Sequence, residues 1–363
     1  MRVFWLMLCF CLFCGAVTAQ PGPLIGFCWV SNPLSDSTLF EEGFRTAHYL
    51  GCQIEHRQYN WNEMEKEKGV YNLNMVDQWY TACTTYNIIP SLAVCPLNSN
   101  SVYRNLPEDL EGNSFDDPEV IERLKQFTDT LVGQYPDIKY ISFGNEINYY
   151  LRAHWDEVFP YCTMCGEMYN YVKKTYPHLR VLVIFGFTGM EKREEELIPL
   201  FMPACDIIGI SSYHASISVE SVSPRLTAEE MRQRLEYCIT LCGEKRVAVV
   251  ETSAFSYPDP VYQATYVHVF FEVIDTYQAD MEFACWFSTY DWSPGMLTMV
   301  DPFLEQFNSS GLLQPDGTPK LSYYAWMDEM SQRGLVSQPA SEKALAAILA
   351  ALLVSYLLKK GYK

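Results

Sequence analysis

The chain has 363 residues, 49% hydrophobic and 19% charged, enough apolar material for one large domain with a sizeable core and too much for a disordered chain. A net charge of −18 and the lack of any run of three basic residues exclude nucleic acid as an expected partner, since an acidic body repels phosphate.

The elements follow in chain order. Arg2, the apolar run Val3 to Cys14 and the small residues Val17-Thr18-Ala19 have the layout of a secretory signal peptide. Residues 1–19 are therefore expected to be removed, with Gln20 opening the mature chain. From there the sequence alternates short apolar runs with amphipathic stretches. The runs predict eight strands, at Leu24–Val30, Gln53–Tyr59, Ile88–Val94, Tyr140–Asn145, Val181–Phe187, Ile207–Tyr213, Val247–Glu251 and Phe283–Phe287. Each is too short for a helix, and most are rich in β-branched or aromatic residues. Between them, Pro118–Val132 repeats Ile121, Leu124, Phe127 and Leu131 at helical spacing. Thr227–Leu241 opens with Thr227 followed three residues later by Glu230, the capping-box pattern. Strand–helix alternation eight times over predicts an α/β fold of one domain, a (β/α)8 TIM barrel over residues 20–334. No Gly-x-Gly-x-x-Gly follows any strand, which argues against a doubly wound nucleotide-binding sheet.

After the barrel, residues 335–343 read as a linker and Ala344 to Leu358 as an uncharged run of 15 residues, followed by a basic tail from Lys359 to Lys363. A helix of that length spans about 22 Å, against roughly 30 Å of membrane hydrocarbon. Snorkelling by Lys343 and Lys359 extends its reach, and the terminal lysines fit a cytoplasmic side. The expectation is a C-terminal membrane anchor with the barrel in the secretory pathway, at the cell surface or outside it. A lipid-anchor signal and a docked terminal helix are the alternatives.

Of the 13 cysteines, ten follow the signal peptide; that even number in an exported chain predicts disulfides, with the pairing open. Cys162-x-x-Cys165 and Cys238-x-x-x-Cys242 lack a histidine pair and lie in helical stretches, so no metal is expected. Asn308-Ser309-Ser310 is a glycosylation sequon, which implies an exposed position.

In a parallel barrel the chemistry gathers at the C-terminal strand ends. The fourth run ends Gly144-Asn145-Glu146 and the seventh ends Val250-Glu251. Two carboxyls leaving apolar strands at one rim are what glycoside cleavage uses, one to protonate the leaving oxygen and one to attack the anomeric carbon. The second strand adds Glu55-His56-Arg57 and the pattern Trp61-x-x-Met64-Glu65-x-x-x-Gly69-x-Tyr71, Tyr213 closes the sixth strand, and Trp286 lies near the end of the eighth.

Taken in barrel order, these elements resemble the clan A retaining glycoside hydrolases, the endo-galactanase and cellulase-like members among them. The resemblance implies Glu146 as acid/base and Glu251 as nucleophile. It implies Asn145 on a sugar 2-hydroxyl, Arg57 and Tyr213 holding Glu251 ionised and oriented, and Trp286 as a sugar platform. His56 and His214 flank the site, either on substrate or satisfied by a carbonyl. The substrate is expected to be a β-linked oligo- or polysaccharide, with no cofactor. Strand three ends Val94-Cys95-Pro96, without the histidine or tryptophan common there, and the loop after Glu146 carries Tyr149, Tyr150 and Trp155. Sugar specificity and oligomeric state therefore stay open, and a wall-remodelling transglycosylase or a non-catalytic glycan-binding barrel are the other readings.

Overall fold

The computed structural model describes residues 22–30, 37–187, 193–214, 226–257, 259–292 and 307–336, without the side chains of residues 37–39 and of His214. The signal segment, the apolar run Ala344–Leu358 and the basic tail fall outside them. Among the described residues no helix is long and apolar enough to cross a membrane.

Eight strands form a closed barrel in sequence order: β1 Leu24–Cys28, β2 Ile54–Asn60, β3 Ile89–Asn98, β4 Tyr140–Asn145, β5 Arg180–Phe187, β6 Ile207–His214, β7 Arg246–Ala254 and β8 Met281–Phe287. All pairings are parallel, and β1 closes on β8 with Gly26 opposite Cys285. The main helices are α1 Ser37–Tyr49, α2 Asn74–Thr85, α3 Pro118–Gln134, α4 Val158–Thr175, α5 Glu194–Phe201, α6 Ala228–Leu241, α7 Pro260–Thr276 and α8 Leu321–Gln332. Sequence chemistry sets their starts. Asp117 accepts from the Glu119 amide with Pro118 in the first turn of α3, and Thr227 and Glu230 form the reciprocal capping box of α6.

Apolar side chains fill two concentric layers. Ile54, Ala93, Leu182, Ile184, Ile207, Ala248, Val250 and Phe283 occupy the lumen, while Phe27, Val247, Val249, Ala284 and Trp286 face the helices. Trp326 of α8 covers the β1–β8 seam, its ring 4.9 Å from Phe27 and 6.3 Å from Trp286. Leu335 and Val336 still pack on this core, the Leu335 amide donating to Met330 O, so the domain runs past the expected linker start.

Two strands run beyond their expected ends. β3 continues through Cys95-Pro96-Leu97 to Asn98, with a register shift between Val94 and Asn98 that accommodates a proline lacking a ladder donor. β7 continues past Glu251 to Ala254. The Trp61…Tyr71 motif is a structural knot. Buried Glu65 accepts from Trp61 Nε1, the Gly69 amide and Arg123, and Tyr71 packs on Phe127.

The expected disulfides are not formed. All ten cysteines among the described residues are free thiols, nine of them buried. They act as small apolar core residues, and several donate S–H to a nearby carbonyl: Cys52 to Ile54, Cys162 to Leu200 and Cys242 to Cys238. No cluster of three metal-ligating side chains occurs among the described residues. The sequon is not the exposed site expected: Asn308 is half-buried, and Ser310 is fully buried with its hydroxyl on Phe307 O.

Candidate active site

Glu146 and Glu251 both lie at the C-terminal rim, and backbone irregularities put them there. The inward residues of β7 are Ala248 and Val250, so a regular pleat would turn Glu251 toward the helices. Instead Ile210 pairs with Val249 and the next residue, Ser211, pairs with Glu251. One extra residue in β7 thus rotates Glu251 into the barrel mouth. In β4, Gly144 holds φ +126°, and a Cβ there would strike the Tyr161 hydroxyl, so only glycine fits. The next two residues, Asn145 and Glu146, reach the rim. Glu146 itself has φ +47°, as do Ser99 after β3 (+47°) and Trp29 after β1 (+57°). Such backbone costs a side-chain-bearing residue roughly 1 kcal/mol or more, and three of the four described cases cluster at this rim.

Glu251 accepts from amide and phenol donors, with the Cys28 thiol beside them. Gln58 Nε2 donates to Oε1 at 2.9 Å, Asn145 Nδ2 to the same oxygen at 3.4 Å, and the Tyr213 hydroxyl to Oε2 at 2.6 Å. Burial, then the charge of Glu251, push the Tyr213 phenol far above its ordinary value, so it stays a donor. Glu146 has hydroxyl partners: Ser211 Oγ lies 2.5 Å from its Oε1, and Ser99 also bonds it. Asn145 ties the two carboxyls together, since its Nδ2 also donates to Ser99 Oγ at 3.1 Å and to Asn98 Oδ1 at 3.2 Å.

Burial first, and then the charge of Glu146, lift the Glu251 carboxyl to about 7, and burial raises Glu146 too. The pair titrates as one unit. Its shared proton belongs on Glu146, because the amides facing Glu251 can only donate and so favour a carboxylate. The serine hydroxyls on Glu146 serve either protonation state.

The other expected residues lie elsewhere. Arg57 faces away from the lumen. Its Nε and an NH2 group bond Glu55 Oε1 at 3.0 and 2.5 Å, and its guanidinium lies 4.7 Å from the Trp29 ring centroid. Glu55 also takes the Trp79 indole N–H. The pair is a buried strut tying β2 to Trp79 of α2, with Phe40 and Phe44 of α1 beside the guanidinium, so Arg57 does not hold Glu251. Trp286 is likewise turned outward. It is fully buried against Tyr266, Phe270 and Trp326, its indole N–H on Ser310 O, and is no sugar platform. His56 points into the lumen, Nδ1 2.9 Å from Ser91 Oγ, and burial lowers its pKa to about 3, so it is neutral and shielded. The His214 side chain lies outside the described residues. Of the loop aromatics, Tyr150 is buried, Tyr149 packs over Gly186 and Trp155 is exposed.

The residues taking those places were not singled out in the sequence. Gln58 shares the inward face of β2 with Ile54 and His56, and a strand period counted from the lumen would have found it. Phe287 takes the inward position at the end of β8. Trp292 stacks on it at 6.0 Å, and Phe307 sits edge-on to both Tyr213 and Phe287. A strand apolar on both faces gives no alternation from which to choose Phe287 over Trp286.

No protein-family model matches this chain, and no curated protein matches it in sequence. Solved structures do match the fold. The exo-β-1,4-mannosidase Op5Man5 from Opitutaceae bacterium strain TAV5 is 15% identical at a TM-score of 0.66, over 87% of this chain and 61% of that one. The GH5_18 protein from Streptomyces cattleya, solved with GlcNAc, is 16% identical at 0.67, over 88% and 82%. A family 39 glycoside hydrolase from Bacteroides cellulosilyticus WH2 is 18% identical at 0.59, over 85% and 64%. The chain spans about three-fifths of the mannosidase's length. The fold is therefore the (β/α)8 barrel, as in these solved glycoside hydrolases.

Proposed function

We propose that this protein is a retaining glycoside hydrolase acting on a β-linked glycan, with Glu251 as nucleophile and Glu146 as acid/base. The observation that carries the reading is a pair of buried carboxyls on one rim with unlike partners, donor-only amides and a phenol on one, hydroxyls on the other. Such environments assign opposite protonation states to two like groups.

The chemistry follows from those states. Glu251 attacks the anomeric carbon as the C–O bond to the leaving group breaks, and Glu146 gives its proton to the departing oxygen. The glycosyl ester on Glu251 is then released when Glu146 takes a proton from water, whose oxygen attacks the same carbon. Asn145 Oδ1, buried without a protein partner, is an acceptor suited to a sugar hydroxyl. The names of the structurally similar proteins make β-mannosides, β-glucosides and Manβ1-4GlcNAc the first substrates to try.

An activated aryl β-glycoside panel tests turnover, and azide then separates the two roles. Glu146→Ala with azide should give the β-configured glycosyl azide, because the glycosyl-enzyme still forms. Glu251→Ala should give the α-configured product by direct attack. Near-normal activity in both variants would remove this site from consideration.

We also propose that the chain is exported and tethered through Ala344–Leu358. Full-length protein should partition with membranes, whereas a chain ending near Val336 should not. Equal solubility of the two would rule out the tether, and release of the full-length protein by a phosphoinositide-specific lipase would make the anchor a lipid.

A further inference from the structure

The nucleophile has a positioning residue that is neutral where a cation was expected. Arg57 is committed to Glu55 on the far side of the strand, and its neighbour Gln58 takes the inward position. Gln58 is fixed at both ends: its Nε2 donates to Glu251 Oε1 at 2.9 Å, and its Oε1 accepts from Cys28 Sγ at 3.8 Å. Glu251, an acceptor-only carboxylate, settles the amide's orientation and takes its NH2. The titratable groups facing Glu251 are Cys28 from β1, Cys95 from β3, Glu146 after β4, Tyr213 from β6 and Cys285 from β8, while His56 from β2 lies deeper and neutral. None is a cation, and among the described residues no ion pair reaches either Glu146 or Glu251.

Building on the glycosidase reading, we infer that Gln58 holds Glu251 in its attacking orientation while leaving its charge uncompensated, so that this residue sets the pH range in which the pair keeps one proton. A guanidinium at the same place would orient the carboxylate and also strip that proton. The amide gives the geometry alone, and the range extends toward neutrality, consistent with the raised Glu251 carboxyl.

Three variants test this through the pH profile of kcat/KM on an aryl β-glycoside. Gln58→Met keeps the shape and removes the donor. It should lower kcat by about tenfold or more with little change in KM, as expected for losing a bond to a charged group. Gln58→Lys supplies a cation and should move the upper limb of the profile down by about one pH unit or more. Gln58→Glu is nearly isosteric and donates only while protonated, so its activity should survive at acid pH and collapse below the wild-type optimum.

A Met variant with wild-type kcat, or Lys and Glu variants with unmoved limbs, would overturn the assignment. Should the Met variant fail to fold, the near-isosteric Glu variant decides by itself. Should the wild type cleave no glycoside, the glycosidase reading falls, and Gln58 is judged from urea unfolding. The Lys variant should then gain more stability at about pH 8 than at about pH 5. Equal gains at both would sink the role of Gln58 as well.

Discussion

Replacing Glu251 with glutamine removes a charge and keeps a shape, which makes the cost of the proposed nucleophile measurable. Burial and the Glu146 charge lift the Glu251 carboxyl from an ordinary 4.5 to about 7. In the unfolded chain both carboxyls ionise near that ordinary value, so between these pH values the unfolded state sheds a proton that the folded Glu146–Glu251 pair keeps. Its contribution to stability is therefore complete below pH 4.5 and is lost as pH rises through about 7. The gap, 7 minus 4.5, is about 2.5 pH units, and at about 1.4 kcal/mol per unit it amounts to about 3 kcal/mol at pH 8. Glutamine suits the site. Its carbonyl can accept from Gln58 and Asn145, and its NH2 can donate to the Tyr213 hydroxyl, which turns to accept. Urea unfolding of both proteins should show almost no difference at about pH 4 and a gain of about 3 kcal/mol for Glu251→Gln at about pH 8, together with loss of turnover. A gain equal at both pH values, or none at pH 8, refutes the claim that burial of an ionising Glu251 burdens the fold.

Other substitutions separate structure from function. Trp286→Ala should cost about 3–5 kcal/mol in chemical denaturation while leaving KM of the folded fraction unchanged, because the ring fills the layer between β8 and α8. Arg57→Met should cost about 3–5 kcal/mol by stranding buried Glu55, and a second change, Glu55→Gln, should recover much of it in a double-mutant cycle. Lys320 donates to Asp291 and to the carbonyls of Ser309 and Gly311, clasping the segment that carries Phe307 against Tyr213. Burial raises Asp291 to about 6, so Lys320→Met should destabilise most above that pH, by about 3–5 kcal/mol, and less below it, where Asp291 sheds its charge. A loss equal at pH 5 and pH 8 by thermal or urea unfolding would refute that account.

What the sequence by itself determined is the barrel and the rim. Eight apolar runs alternating with amphipathic segments admit few other folds, and the caps at Asp117 and Thr227 are local hydrogen-bond chemistry that needs no tertiary information. Glu146 and Glu251 were legible because a carboxyl at the end of an apolar strand stands out. Which way the neighbouring side chains face was decided only in three dimensions. A barrel strand is buried on both sides, so its sequence carries no alternation, and Trp286 and Phe287, or Arg57 and Gln58, are equally plausible inward residues until the register is known. The strands also break their own period. An extra residue in β7 turns Glu251 inward, and the positive φ of Gly144 and Glu146 swings Asn145 and Glu146 onto the same mouth. Cysteine parity failed for a related reason. Count and compartment predict bridges, but a bridge also needs two Cβ atoms about 4 Å apart in the right orientation, which only the tertiary structure decides, and in this fold all ten thiols stay unbridged.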